Sequence, residues 1–507
     1  MDRYSEVERK FDVDPGASLP DLSACAVVSE VLETELDATY FDTADGRLAR
    51  HQITLRRRTG GQDAGWHLKL PAAVDERTEV RLPLGRATRK VPVALAREVR
   101  ALVRDHPLVP IALLQTTRIE RRLLDADGST LATVADDTVR GRRLGEGSVQ
   151  VSVWREVEVE LVDGDRPFLD SISELLRTAG LKGSASSSKL ARVLAESAPP
   201  KPSAGPDTRR SGRRATAGAV VQAHLLDEVD KLVMHDRGAR LDEPDAVHQM
   251  RVATRRLRSA LATFQPLLDR QRADELSEEL KWLGQILGRA RDAEVLHWRL
   301  QDLVTAQPDE LVLGPVGRRV DLELGERHRV AHADLVAALN GARYLEMLDR
   351  LDDLVTDPPL TTRAGKPARQ ALPPLVGRAA ERVDRAARAV ADDWTPQARD
   401  QGLHEVRKKA KRARYAAEAA VAVAGRPAIA LADRMEELQD VLGEHQDSVA
   451  VRTLLLELSA AAQAAGENGF TYGLLYAREG TLADEARRAY RRALRRASSG
   501  KARRWTT

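Results

Sequence analysis

Up to about residue 196 hydrophobic and polar residues alternate with a period of two, and beyond about residue 216 they recur at helical spacing to the end of the chain. The first texture appears in the runs "ATYFDT", "ITLRRRTG", "GWHLKL", "RTEVRLPL", "LLQTTRIERRLL", "TLATVADDTV" and "VSVWREVEVELVDG". Gly and Asp turn signals separate these runs, which predicts strands paired mostly antiparallel. Helical spacing interrupts the alternation at "VPVALAREVRALVRDH" and "PFLDSISELLRTAG", which predicts flanking helices. Residues 197–216 are rich in Pro, Ser and Gly, carry no apolar periodicity and are expected to form a flexible linker. The chain is therefore read as an α+β protein. A β domain over 1–196 comes first, then the linker, an all-α domain over 217–500 and a basic tail over 501–507.

The helical part repeats itself. "VHQMRVATRRLRSAL" (247–261) aligns without a gap on "LHEVRKKAKRARYAA" (403–417), and "LGRARD" (287–292) matches "LGEHQD" (442–447) at an offset differing by one residue. A repeat at this distance predicts two related helical bundles packed as one pseudo-symmetric unit.

Composition changes this picture little. The length of 507 residues exceeds what one core supports. Lys plus Arg (80) nearly balances Asp plus Glu (77), so any anion binding must come from local clustering. Cys25 is the one cysteine, which rules out an internal disulfide and fits a reducing compartment. No signal segment and no long apolar run are seen, and a cytoplasmic setting without a membrane partner is the expectation. Aromatic residues make up 4%, too few for large stacking platforms.

The charges of the β region are themselves periodic. Glu6, Glu8 and Lys10 alternate along the first strand, about 7 Å apart on one face. Glu156, Glu158 and Glu160 do the same later, opposite Val157, Val159 and Leu161; Arg56, Arg58, Lys69, Arg77, Glu79 and Arg81 fall on equivalent positions. A charged face can simply be wetted. Recurrence over several strands instead suggests a barrel with a polar lumen, its apolar faces turned outward. Grouped glutamates suit a hard divalent cation, Mg²⁺ or Mn²⁺, and arginines and lysines opposite them match phosphate oxygens.

"EVERK" resembles the E-x-E-x-K signature of the CYTH superfamily, the triphosphate tunnel metalloenzymes. "YFDT", "LRRR", "WHLKLP", "RTEVRLPL", "DDTV", "EVEVEL" and "SSSKLAR" follow in the family's order. The resemblance implies an antiparallel β-barrel tunnel and a metal-dependent triphosphatase. It implies metal binding by Glu6, Glu8, Glu158 and Glu160, with Glu156 added by parity, and catalysis by Glu6, Glu8, Glu158 and Glu160 with Lys10. Lys10, Arg56, Arg58, Lys69, Arg118 and Lys189 would bind phosphates, with Arg81 added by parity. Arg77 and Glu79 could instead form a supporting salt bridge. Asp137 could belong to the acidic side or stand behind it, and His67 is read as a bystander. Thiamine triphosphatase and adenylate cyclase activities are alternatives within the family.

On the first repeated helix His248, Arg251, Arg255 and Arg258 fall within an arc of about 80°, opposite Met250, Ala253, Leu257, Leu261 and Phe264. Arg256 accompanies them; His404, Arg407, Lys408, Lys411 and Arg414 form the second copy. One such stripe is ordinarily a solvated face, and its repetition argues for a shared anion-binding surface. These residues resemble the CHAD domain, which implies inorganic polyphosphate as a partner and a link to polyphosphate granules. Asp292 and Asp447 are expected to orient arginines or cap helices. The function expected overall is hydrolysis of inorganic triphosphate in the tunnel with polyphosphate bound by the helices. The alternative is a polyphosphate-binding anchor without turnover. Nucleic-acid binding through the basic helices and tail is disfavoured by the scarcity of aromatics and the lack of a recognition-helix motif.

Overall fold

A computed structural model describes residues 2–14, 16–85, 90–144, 151–195, 215–390 and 395–506. They fall into two compact units, Met1–Lys201 and Pro202–Thr507. Most of the expected linker over 197–216 lies outside the described residues. Its last residues, Ala215 and Thr216, already belong to the helical unit: Thr216 bridges to Pro367 and caps the first long helix.

Each alternating run of the first unit is a strand. The strands are β1 (Asp2–Val13), β2 (Val27–Val28), β3 (Leu32–Asp42), β4 (Thr54–Thr59), β5 (Gly65–Ala73), β6 (Glu76–Pro83), β7 (Val109–Leu124), β8 (Thr130–Arg143), β9 (Val151–Leu161) and β10 (Lys182–Gly183). Their order is β1-β6-β5-β4-β3-β7-β8-β9, all antiparallel, with β10 added on β1 and β2 on β7. Pairing of β1 with β9 closes the circle into an eight-stranded barrel. The strand β1 is shared along its length: Asp2–Val7 pair with β6 and Glu8–Val13 with β9.

The apolar residues of these strands point outward. Val157 and Val159 of β9 join Leu169, Ile172 and Leu176 of helix α1 (Arg166–Thr178) in one buried cluster. A second cluster gathers Leu55, Trp66, Leu68 and Val80 under Leu95 and Val103 of two short helices. Burying one large aromatic such as Trp66, roughly 200 Å² at about 25 cal/mol per Å², contributes about 5 kcal/mol before entropy. This outer packing offsets the cost of an interior that carries charge.

In the helical unit, helices of at least two turns are α2 (Ala217–Arg240), α3 (Ala246–Thr263), α4 (Arg270–Thr305), α5 (Val316–Asn340), α6 (Ala342–Thr356), α7 (Pro373–Arg388), α8 (Pro396–Ala419), α9 (Arg426–Ala464) and α10 (Phe470–Ala497). The repeat is visible in the packing: α2 on α3, α3 on α4 and α4 on α5 are matched by α7 on α8, α8 on α9 and α9 on α10. The two copies meet where α3 packs on α8, and Ser259 there donates to the carbonyl of Arg412 at 3.5 Å. Met250, Ala253, Leu257, Leu261 and Phe264 are buried as their spacing predicts, and so are Val406, Ala413 and Ala417.

The residues of the basic tail that the structure describes pack on the second bundle. Arg503 pairs with Asp384 of α7, Trp505 packs on the core of the second bundle, and Thr506 is buried. Among the described residues no helix is long and apolar enough to cross a membrane.

Candidate functional site

Register decides which charges meet inside the barrel. Glu8 stands opposite Glu160 and Lys10 opposite Glu158 across β1 and β9. Glu6 faces Arg77 across β1 and β6, Lys69 faces Glu79 across β5 and β6, and Arg118 faces Asp137 across β7 and β8. The lumen is lined by Glu6, Lys10, Arg56, Arg58, Lys69, Arg77, Glu79, Arg81, Arg118, Glu158, Glu160 and Lys189, together with Tyr40, Thr54, Asp63 and Ser188. Lys189 comes from outside the strands. Ser188 caps a short helix, accepting from the amide of Ala191 at 3.0 Å, and this sets Lys189 as the helix's first residue.

Inside, the charges are cross-linked. Lys10 lies 3.0 Å from Glu8 and pairs with Glu158, and Lys69 pairs with Glu6. Lys189 reaches Asp137 at 2.9 Å, Glu156 at 2.8 Å and Glu158 at 2.6 Å. Arg118 grips Asp137 with two hydrogen bonds of 2.8 and 2.7 Å and holds Glu158 at 2.8 Å. Asp137 is fully buried and so stands behind the lumen wall as a partner of Arg118 and Lys189. Glu156 is likewise set back, accepting from the indole of Trp154 at 2.6 Å. Arg81 pairs with Glu79, and Arg77 lies 3.5 Å from Glu8.

The electrostatics divide the glutamates. Burial raises Glu158, but Lys10, Lys189 and Arg118 outweigh it and hold the carboxyl well below its ordinary range. Glu8 is balanced the same way, burial against Lys10 and Lys69, and ends at about 2. Glu160 goes the other way: burial, then Glu6 and Glu8, push it up to about 7. Among the described residues no cation lies within ion-pair distance of Glu160.

The acidic side fits a hard divalent cation by its chemistry. Glu6 Oε2 and Glu8 Oε1 are buried without a hydrogen-bond partner, and Glu160 beside them is destabilised by like charge. Among the described residues no three acidic or imidazole groups stand gathered as a finished metal site, because Lys10 and Lys69 sit among the glutamates. The opposite side is cationic. Arg56, hydrogen-bonded by Tyr40 at 3.4 Å, stands near Arg58 and Arg118. Burial with Arg56 and Arg118 pushes Arg58 down to about 9, while Glu79 and Tyr40 work in the opposite direction; Asp63 pairs with it.

Three residues at or behind the lumen wall escape a reading of charge periodicity. Tyr40, uncharged, stands opposite Arg56 across β3 and β4, and Asp63 lies on the β4–β5 turn, so a period of charges reveals neither. His67, expected as a bystander, is buried; its Nδ1 lies 2.9 Å from Glu79 and its Nε2 2.9 Å from the carbonyl of Asp63. Its position beside Lys69 on the same face was the available signal.

In the helical unit the repeated cations separate into two groups. Arg251, Arg255, Arg407 and Lys411 gather near the α3–α8 contact, where burial and the three arginines push Lys411 down to about 7. Arg256 is neutralised by Glu228 at 3.2 Å and Glu418 at 2.9 Å, Arg414 by Glu418 and Glu436, each at 2.8 Å, and Lys408 by Glu405 at 2.7 Å. Arg258 stands near Arg412, and burial lowers it. His248 and His404 are both lowered, first by burial and then by neighbouring cations, Arg291 for one and Lys408 for the other. Asp292 orients Arg251 at 2.9 Å, as expected, and Asp447 lies within electrostatic reach of Arg407. The repeated glycines have a role that spacing alone does not show. Gly288 and Gly443 leave room on α4 and α9 for the guanidiniums of Arg251 and Arg407, which lie 3.7 and 2.8 Å from where a Cβ would stand.

Comparison with known proteins agrees with both halves. Residues 5–194 match the CYTH domain and residues 223–456 the CHAD domain. Two uncharacterized proteins of Mycobacterium tuberculosis, MT2285 of strain CDC 1551 and Rv2226 of strain H37Rv, are each 40% identical over 518 residues, covering 97% of this chain and 96% of theirs. Among solved structures, PptA from Streptomyces chartreusis is 24% identical with a TM-score of 0.47, over 55% of this chain and 99% of that one. The CHAD domain of the plant Ricinus communis is also 24% identical, with a TM-score of 0.46 over 56% of this chain and 93% of that one. With a closed charged barrel ahead of a duplicated helical unit, the chain belongs to the family of proteins in which a CYTH domain, a tunnel-enzyme fold, is followed by a CHAD domain.

Proposed function

We propose that the barrel hydrolyses inorganic triphosphate with a divalent metal, Mg²⁺ or Mn²⁺, and that the helical unit binds inorganic polyphosphate. The observation that carries the first part is the division of one closed lumen into an acidic side at Glu6, Glu8 and Glu160 and a cationic side at Arg56, Arg58 and Arg118. Glu6, Glu8 and Glu160, joined by Glu158, would hold the ion. When bound it would supply charge neutralisation on the phosphate oxygens and activation of a water.

The chain's own residues do the rest. Arg56, Arg58 and Arg118 present guanidinium donors to phosphate oxygens, and Lys69 and Lys189 add point charges from neighbouring positions. Lys10 and Lys69, which now sit on the glutamates, are free to turn to the phosphates once other charge compensates the carboxylates. Closed walls hold the reacting phosphoryl group in line, which is most of what phosphoryl transfer asks of a protein. In the helical unit Arg251, Arg255, Arg407 and Lys411 form a cationic group built from both repeats, which suits a linear chain of closely spaced phosphates. Polyphosphate held there would bring the protein to polyphosphate granules.

The test is phosphate release by the purified protein from triphosphate, long-chain polyphosphate, ATP and thiamine triphosphate, each with Mg²⁺ and with Mn²⁺. Metal-dependent release fastest from inorganic triphosphate is expected. No release with either ion would overturn the catalytic reading and leave the anchor.

A further inference from the structure

The turn between β4 and β5 reads "GGQDA" over residues 60–64. Gly60 and Gly61 both have positive φ, +82° and +71°, and a Cβ on Gly60 would lie 2.1 Å from the carbonyl oxygen of Glu35. Only glycine fits there. The turn it permits brings Asp63 back over the lumen, where its carboxylate pairs with Arg58. Below it, His67 Nε2 donates to the Asp63 carbonyl at 2.9 Å, so the backbone of the turn is tied to the barrel wall.

We propose that Asp63 is a specificity-determining residue of the tunnel: its carboxylate occupies the place of a substrate phosphate at Arg58, so that a doubly charged terminal phosphoryl group is admitted in preference to a singly charged internal one. The inference rests on the triphosphate reading of the lumen. Arg58 is buried, its side chain 6% exposed, and among the described residues Asp63 is the one carboxylate at ion-pair distance from it. Asp63, by contrast, is 37% exposed at its side chain, so it can swing into water by rotating about its own bonds while its carbonyl stays on His67.

Charge then sets the selection. An internal phosphate of a polyphosphate carries one negative charge, as the carboxylate does, so exchanging one for the other at Arg58 gains little Coulomb energy. A terminal phosphate has its second ionisation near pH 6 and approaches two charges at pH 7 and above. It gains from the exchange, and it offers three acceptor oxygens where the carboxylate offers two. The displaced carboxylate stays close and repels whatever has entered, a penalty that only the more strongly held group overcomes.

The test uses the full-length protein without metal, titrated with linear inorganic triphosphate and with cyclic trimetaphosphate, whose phosphates are all singly charged. Wild type is expected to prefer the linear ligand. Asp63→Asn keeps the size of the side chain and the carbonyl bond to His67; it should tighten both ligands, the cyclic one more, and reduce the preference at least about fivefold. An unchanged ratio, or weaker binding of both ligands, would overturn the proposal. Parallel phosphate-release assays with Mg²⁺ and Mn²⁺ separate the two readings. The expected binding ratios without turnover would refute the triphosphatase while sustaining the selection by Asp63. Anion binding that appears only in Asp63→Asn would sustain it as well; no binding by either protein would overturn the selection by Asp63, and the triphosphatase would then stand or fall on phosphate release alone.

Discussion

Glu160 and Lys189 show how unevenly the lumen charges are compensated. Glu160 faces Glu8 with no cation at ion-pair distance among the described residues, and its raised folded-state pKa of about 7 makes its ionisation a cost to the barrel. The corresponding stability is present below its unfolded pKa and is lost as pH rises through about 7. Metal-free protein should therefore unfold at a lower temperature at pH 8 than this carboxyl alone would allow at pH 5, and Glu160→Gln should remove that component. The same substitution should lower metal-dependent turnover at least a hundredfold, about 2.7 kcal/mol in barrier. A variant more stable in EDTA and nearly inactive with Mg²⁺ is the expected pair of results; unchanged turnover would exclude Glu160 from the metal site. Lys189 is the converse case, one buried cation on Asp137, Glu156 and Glu158. Lys189→Met should cost about 3–5 kcal/mol, read from the denaturant midpoint, because it takes the ion-pair partner from buried Glu156 and leaves Asp137 and Glu158 only partly compensated by Arg118 and Lys10. Period-two spacing placed the glutamates, arginines and lysines of this site in advance. It could not place Asp63, Tyr40 or His67, whose roles depend on a turn and on neighbours far along the chain.

At the scale of elements, the α3–α8 seam brings two repeats of a sequence pattern into one cationic group. Arg251 and Arg407 lie over Gly288 and Gly443 of the next helices, so the repeated H-x-x-R and L-G-x-x-x-D segments are halves of the same contact. Lys411 is depressed to about 7 by burial and by Arg407, Arg255 and Arg251, against the weaker pull of Asp447. Between about pH 7 and its unfolded pKa the folded unit has released a proton that the unfolded chain still holds, so this residue's contribution makes stability rise with pH across that range. A bound polyanion should restore the charge. Polyphosphate binding near pH 8 is expected to take up as much as about one proton, visible as a calorimetric heat that changes with the ionisation enthalpy of the buffer. Buffer-independent heats would contradict it. Affinity should fall steeply with salt, and Arg251→Ala with Arg407→Ala should flatten that dependence; equal affinity for duplex DNA of matched charge would count against polyphosphate. The ten cations read from the sequence are not equivalent, since Arg256, Arg414 and Lys408 are held by glutamates that lie elsewhere in the sequence or on their own helix.

At the scale of the whole molecule, the barrel closes through pairing of its own first and last long strands and is covered by its own helices. Residues 1–195 are therefore expected to fold without the helical unit, with a cooperative thermal transition and the same triphosphate turnover as the full chain. A fragment that is soluble but inactive, beside an active full chain, would mean that the helical unit completes the tunnel.

The sequence by itself determined the α+β class, the strand and helix segments, the duplication and the parity of the charged rows. These are local properties: side-chain period follows from backbone geometry, and a repeat is a property of the string. Tertiary structure alone decided that the charged faces close on one another, because closure depends on β1 pairing with β9 across most of the β region. It also decided which charges are compensated. Glu158 and Glu160 lie two residues apart on the same face of one strand, yet four cations act on the first, while three glutamates and one lysine act on the second. Electrostatic energy depends on distance in space, and only the register and curvature of the folded barrel set that distance.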